Sequence, residues 1–184
     1  METKLSYSKF CANDIFYSNE KKPKVLFSLG SNVGDRINNI NVAVELLSEV
    51  CFIEKKNISS FYETEPFGNK EQNYFINIAL IAKTDLSPEN LLFICKTIEF
   101  ELGRKQAPHW TERPIDIDIL LFDNIILDIE KLIIPHKFLH LRKFVLVPAT
   151  EIAANFVHPI LNKNIAQLND LCQDTSNVTK QIFD

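Results

Sequence analysis

Arg113-Pro-Ile-Asp-Ile-Asp-Ile-Leu-Leu-Phe122 alternates two kinds of side chain. Ile115, Ile117, Ile119 and Leu121 hold every second position, with Asp116 and Asp118 between them. Side chains of a strand point to opposite faces with period 2, so the stretch predicts a β-strand whose aliphatic face lies on a core. The other face carries two carboxylates one pleat apart, about 6–7 Å at the backbone. Like charges held that close disfavour each other's ionisation, and a divalent cation removes the conflict. Mg²⁺ takes one or two carboxylates together with substrate phosphates, so an Asp pair reads as a seat for metal-bound phosphate. An Asp-x-Asp triplet at a strand end also occurs where both acids simply meet water. Arg104, Lys105, His109, Trp110 and Arg113 add positive charge and an aromatic surface just upstream, a setting suited to phosphate and equally to ordinary salt bridges.

Before this strand, Ser87-Pro-Glu89 opens a helix with a Ser cap, a Pro at the first helical position and an acid in the first turn. Leu91, Cys95, Ile98 and Leu102 form its buried stripe, and Gly103 stops it. Lys24 to Gly30 predicts a short apolar strand, and Asp35 caps a helix with Ile37, Ile40, Val44, Leu47 and Val50 at helical spacing. Its N-terminus is a place where backbone N–H groups meet phosphate, although no Lys-Ser/Thr follows the glycine. Cys51–Tyr62 predicts a second strand and Tyr74–Ala82 a third, in which Asn77 interrupts the apolar run and must find partners. That amide suits neighbouring loops or the edge of a flat heterocycle. The connection from Glu65 to Asn73 is long for a hairpin, as functional loops often are.

The resulting order is βαββαβ. It predicts an α+β fold with a ferredoxin-like core: an antiparallel sheet with two helices on one face. Ile125–Leu127 is read as a short return strand, and Leu141–Ala154 as an additional C-terminal helix. His158-Pro159 and the segment after it are expected to be peripheral. Residues 1–23 are read as an N-terminal arm, whose Tyr7, Phe10, Phe16 and Tyr17 offer docking groups, and residues 24–184 as one domain.

The 184 residues are 46% hydrophobic, enough for a core, and a net charge of −4 argues against a general nucleic-acid-binding surface. No apolar run is long enough to span a bilayer, and no signal-peptide pattern opens the chain. Four scattered cysteines without a Cys-x-x-Cys fit a reducing, cytoplasmic setting. With four glycines, neither glycine-rich phosphate-loop motif occurs.

Six segments together resemble one family: Ser28-Leu-Gly-Ser-Asn32, Ser60-Phe-Tyr-Glu-Thr64, Phe75-Ile-Asn77, Arg113-Pro-Ile-Asp-Ile-Asp118, Pro135-His136 and Arg142-Lys-Phe-Val-Leu-Val-Pro148. They are similar to the 6-hydroxymethyl-7,8-dihydropterin pyrophosphokinases of folate biosynthesis, in order, over about Lys24 to Pro159. The resemblance implies transfer of diphosphate from ATP to the pterin hydroxymethyl oxygen, with release of AMP. It implies that Asp116 and Asp118 hold two Mg²⁺ ions, with Arg104 and Arg113 beside them in catalysis. Arg104, Trp110, Arg113, His136 and Arg142 match ATP-contacting positions. Thr64, Phe67, Phe75, Asn77 and Phe144 match the pterin site, Phe75 and Phe144 as the two faces of a sandwich and Asn77 as its amide reader. Lys131 is a loose match to a further phosphate-facing residue. The implied partners are ATP and the pterin, with no nucleic acid and no membrane. Because family members occur fused to other folate enzymes, a functional link to dihydropteroate synthase is also expected.

The chain departs from the family pattern between Arg104 and Arg113. Lys105-Gln-Ala-Pro-His109 stands where further arginines are usual, and Glu112 puts a negative charge near phosphate. Two other readings of the Asp pair are a metal-dependent phosphohydrolase or nucleotidyltransferase, and a non-catalytic ferredoxin-like module. The aromatic pair and Asn77 speak against the module.

Overall fold

The computed structural model describes residues 22–66, 72–104 and 113–182. Strand β1 (Lys24–Ser31) leads into helix α1 (Arg36–Ser48), where the Asp35 side chain accepts the Asn38 N–H as its cap. Then follow β2 (Phe52–Ile58), β3 (Tyr62–Thr64) and β4 (Phe75–Lys83). Helix α2 (Pro88–Glu101) starts on the Ser87 cap, and β5 (Asp116–Phe122) comes after it. The rest is a small hairpin of β6 (Leu127–Ile129) and β7 (Leu132–Ile134), helix α3 (Lys143–Ala153), a second small ribbon of β8 (Val157–His158) and β9 (Lys163–Asn164), helix α4 (Ile165–Leu171) and β10 (Val178–Lys180).

The main sheet is antiparallel in the order β10-β3-β4-β1-β5. β2 pairs with β4 as well, so the expected Cys51–Tyr62 strand is two strands that share β4. Ser59 joins them, its hydroxyl accepting the Ala79 N–H. The expected return strand at Ile125–Leu127 lies slightly later, as β6.

Both faces of the sheet are covered. Val25, Phe27 and Leu29 pack with α1 and α2 on one face, and Leu26, Ala79 and Ile81 with α3 and α4 on the other. The C-terminal part, expected from the sequence to be peripheral, is instead built into the core and the sheet. Ile165 and Leu168 of α4 are buried, His158 is buried, and β10 adds a strand to the main sheet.

The deciding strand also departs from strict alternation. Its register against β1 shifts between Leu26 and Phe27, leaving Leu120 as the extra residue of a β-bulge. Ile115, Ile117 and Ile119 face α1 and α2 as expected, whereas Leu121 is turned to the α3 side with Leu120. Up to the bulge the alternation holds, and Asp116 and Asp118 share the α3 face. Of the expected arm, Lys22 pairs with Asp85 and the Pro23 carbonyl accepts the Thr84 N–H, while residues 1–21 lie outside the described residues.

Candidate active site

On the α3 face, the strand registers line up one row across three strands. Asn77 of β4 lies opposite Gly30 of β1, and Gly30 lies opposite Asp116 of β5. Neighbouring strands are about 4.8 Å apart, so an amide and a carboxylate stand about 10 Å apart on one surface. Phe144, in the first turn of α3, lies beside the row. A cavity of about 410 Å³ opens there, and its lining includes Thr64, Phe75, Asn77, Arg104, Arg113, Asp116, Asp118, His136, Arg142 and Phe144. All ten are residues expected from the sequence. Trp110 and Phe67 lie outside the described residues, as does the altered stretch 105–112.

At one end are the two acids. Asp116 pairs with Arg104 Nη1 at 2.6 Å and also with Arg113. Burial works against its ionisation, but Arg104 and Arg113 outweigh it and hold the carboxyl below the usual range. The Asp118 side chain makes no hydrogen bond or ion pair among the described residues. Burial, and then the charge of Asp116, push it up to about 6. One acid is thus saturated with cations and the other lacks one. No group of three or more His, Cys, Asp or Glu side chains able to hold a metal occurs among the described residues. Two carboxylates without a protein cage fit Mg²⁺ that arrives with phosphates.

His136 is placed by β7 and by its own backbone, whose N–H donates to the Leu120 carbonyl at 2.8 Å. Burial, and then Arg142, lower its pKa to about 4, so the ring is neutral near pH 7. Its Nδ1 accepts the Phe138 N–H at 3.2 Å. The ring proton therefore sits on Nε2, where it can be donated. The Arg142 guanidinium lies 4.9 Å from the centre of the Phe138 ring and 5.8 Å from that of Phe144.

At the other end, the Asn77 amide nitrogen donates to Thr64 Oγ1 at 2.7 Å, which fixes its orientation. Its Oδ1 then lies over Gly30, 2.5 Å from where a Cβ would stand. A side chain there would have to displace that oxygen. Phe75 and Phe144 bring aromatic surface from β4 and α3 to the same cavity.

Several supporting residues were given no role by the sequence, although Asn32 lies in one of the six family-like segments. Asn32 is 1% exposed and holds Arg113 at both backbone groups: its N–H donates to the Arg113 carbonyl, and its Oδ1 accepts the Arg113 N–H at 2.7 Å. Lys96 and Phe138 also line the cavity. Glu99, buried on α2, reaches Arg104 and Lys96 from behind. Lys131 lines a separate cavity beside α2, and the N-terminus of α1 is not part of the lining of either.

The sequence model of 7,8-dihydro-6-hydroxymethylpterin-pyrophosphokinase (HPPK) matches residues 26–154. The chain belongs to the HPPK family. The 2-amino-4-hydroxy-6-hydroxymethyldihydropteridine pyrophosphokinase of Aquifex aeolicus is 45% identical over 143 residues, 78% of this chain and 88% of the relative. That of Bacillus subtilis is 43% identical over 125 residues, 68% of this chain and 75% of the relative. The Folic acid synthesis protein FOL1 of Dictyostelium discoideum is 39% identical, and the match spans 79% of this chain but 22% of that protein. Among solved structures, a Plasmodium falciparum HPPK-DHPS with pteroate superposes with a TM-score of 0.63 at 18% identity, over 86% of this chain and 44% of that one, a likeness of fold. The activity of an HPPK is transfer of diphosphate from ATP to hydroxymethyldihydropterin in folate synthesis, and this chain is such a pyrophosphokinase.

Proposed function

We propose that the two ends of the cavity hold the two substrates of the HPPK reaction, the pterin against Asn77 and the triphosphate against the aspartates. The row Asn77–Gly30–Asp116 carries this reading, because it joins a heterocycle reader to a phosphate seat on one rigid surface. Phe75 and Phe144 flank the planar ring, and the Asn77 carbonyl accepts from its amino edge. Thr64 keeps that amide from turning. By family position, Phe67 contacts the pterin and Trp110 the nucleotide.

Asp116 and Asp118 are the residues that hold Mg²⁺, two ions by family resemblance. When bound, Mg²⁺ supplies neutralisation and alignment of the triphosphate. The protein's own groups do the rest. Arg104 and Arg113, kept in place by Asp116, have further N–H donors for phosphate oxygens. Arg142 adds a third guanidinium, and neutral His136 donates from Nε2. Donors fixed before the reaction stabilise charge as it spreads over the transferring diphosphate and the departing AMP.

The βαββαβ part is read as a ferredoxin-like core, supported by the order β3-β4-β1-β5 with α1 and α2 on one face. No helix among the described residues is long and apolar enough to cross a membrane, and cytoplasmic action beside dihydropteroate synthase is the setting proposed. The test combines protein, Mg²⁺-ATP and reduced hydroxymethylpterin and resolves the products by chromatography. AMP and pterin diphosphate in equal amounts are expected from the wild type, and neither from folded Asp116→Ala or Asp118→Ala. Near-normal turnover in both variants would remove the assignment.

A further inference from the structure

Glu99 lies outside the cavity, on the helix that covers the opposite face of the sheet. It is 1% exposed, and a buried carboxylate persists only where it is paired and hydrogen-bonded. Its Oε1 accepts Lys96 Nζ and the backbone N–H of Ile117, each at 2.8 Å, and its Oε2 pairs with Arg104. Every one of these partners belongs to the proposed site. Ile117 is the residue between the two aspartates, Arg104 bridges onward to Asp116, and Lys96 lines the cavity. β5 also ends the strand order among the described residues. Its outward N–H groups need partners from elsewhere, and Glu99 satisfies the one at Ile117.

We infer that Glu99 is a positioning residue for diphosphate transfer: its carboxylate holds Arg104 and Lys96 at the phosphate end and fixes the backbone between Asp116 and Asp118. This rests on the roles proposed above for Arg104 and the aspartates. An amide cannot replace the carboxylate. Gln at this position has one oxygen, enough for the Ile117 N–H, and turns an NH₂ group toward a cation. Glu99→Gln therefore keeps the volume and the backbone bond and removes the charge pairing.

The experiment measures kcat and both KM values for Glu99→Gln, Arg104→Ala and the double variant, with thermal melts of each. For Glu99→Gln, kcat/KM for ATP should fall about 10- to 100-fold, the usual range for a residue that orients a site from behind. KM for the pterin should stay unchanged. The double variant should lose little more than Arg104→Ala alone, because the two act through one contact. Wild-type kcat/KM for ATP in Glu99→Gln, equal weakening of both substrates, or fully additive losses would each overturn the inference. Normal turnover in Arg104→Ala would instead overturn the proposed site. If Glu99→Gln does not fold, Lys96→Met at its half-exposed position is read by the same assays: a raised KM for ATP alone supports the inference, and an unchanged one overturns it.

Discussion

Asp116 and Asp118 stand one pleat apart and meet opposite electrostatic conditions, which separates their effects on stability. Asp116 neutralises two arginines, so Asp116→Asn leaves them facing each other and should destabilise the metal-free protein by about 1–3 kcal/mol. Asp118 is ionised at a cost. A carboxyl whose pKa is raised on folding binds protons more tightly in the folded chain, so its penalty is complete above about 6 and fades toward the ordinary 3.8. Asp118→Asn should therefore raise the melting temperature at pH 7–8, by roughly 2–3 kcal/mol in stability, while turnover is lost. Melts in chelator from pH 8 to pH 4 check this: the gap between variant and wild type should close below about pH 6, and a constant gap would contradict the account. Gly30 gives a prediction of another kind. A methyl group there meets Asn77 Oδ1 at 2.5 Å and must displace it. Gly30→Ala should raise KM for the pterin about tenfold, the equivalent of one hydrogen bond, with KM for ATP little changed in steady-state assays. The sequence showed Asn77 as an interruption that needed partners, and Thr64 with Gly30 supplies the answer. Glu99 was not legible, because a glutamate beside a helix's apolar stripe looks like any solvated residue.

The strands and helices that carry the site were readable because each is long enough to show its period or its caps. Ser87-Pro88 and Asp35 begin helices as their chemistry requires. The bulge at Leu120 was hidden, since an all-aliphatic Ile119-Leu-Leu-Phe122 satisfies either face. β10 was hidden for another reason: three residues have no detectable period. Its consequence is local. β10 pairs Val178 with Thr64 and Lys180 with Tyr62, and Lys180 joins Ser60 and the Tyr62 hydroxyl around Glu151 of α3. Thr64 in turn orients Asn77. Ending the chain after Asn177 removes the strand that pairs with β3 along Tyr62–Thr64 and should raise KM for the pterin several-fold, with KM for ATP and the bulk of the circular dichroism unchanged. Equal affinity for both substrates before and after truncation would show that β3 needs no such support.

Across the whole molecule, the sheet separates two apolar clusters, and the family match covers them unequally. Residues 26–154 contain all of α1, α2 and α3, yet the α3 side is completed by α4, which lies beyond them. Ile165 and Leu168 are fully or almost fully buried there. The Ile165 N–H donates to the Phe156 carbonyl, and the Ala166 N–H to that of Ala154. Burying one such aliphatic side chain contributes about 1.5–3 kcal/mol, against a total stability of roughly 5–15 kcal/mol for a domain. Losing two of them, and uncovering the α3 residues they rest on, is comparable to the whole margin. A chain ended at Ala154 should therefore give no cooperative thermal transition, although it retains every site residue named above. The chain ended after Asn177 keeps α4 and should melt cooperatively. Calorimetry of the two truncations side by side makes the comparison, and a sharp transition in the shorter one would mean that α1, α2 and the sheet alone set the stability.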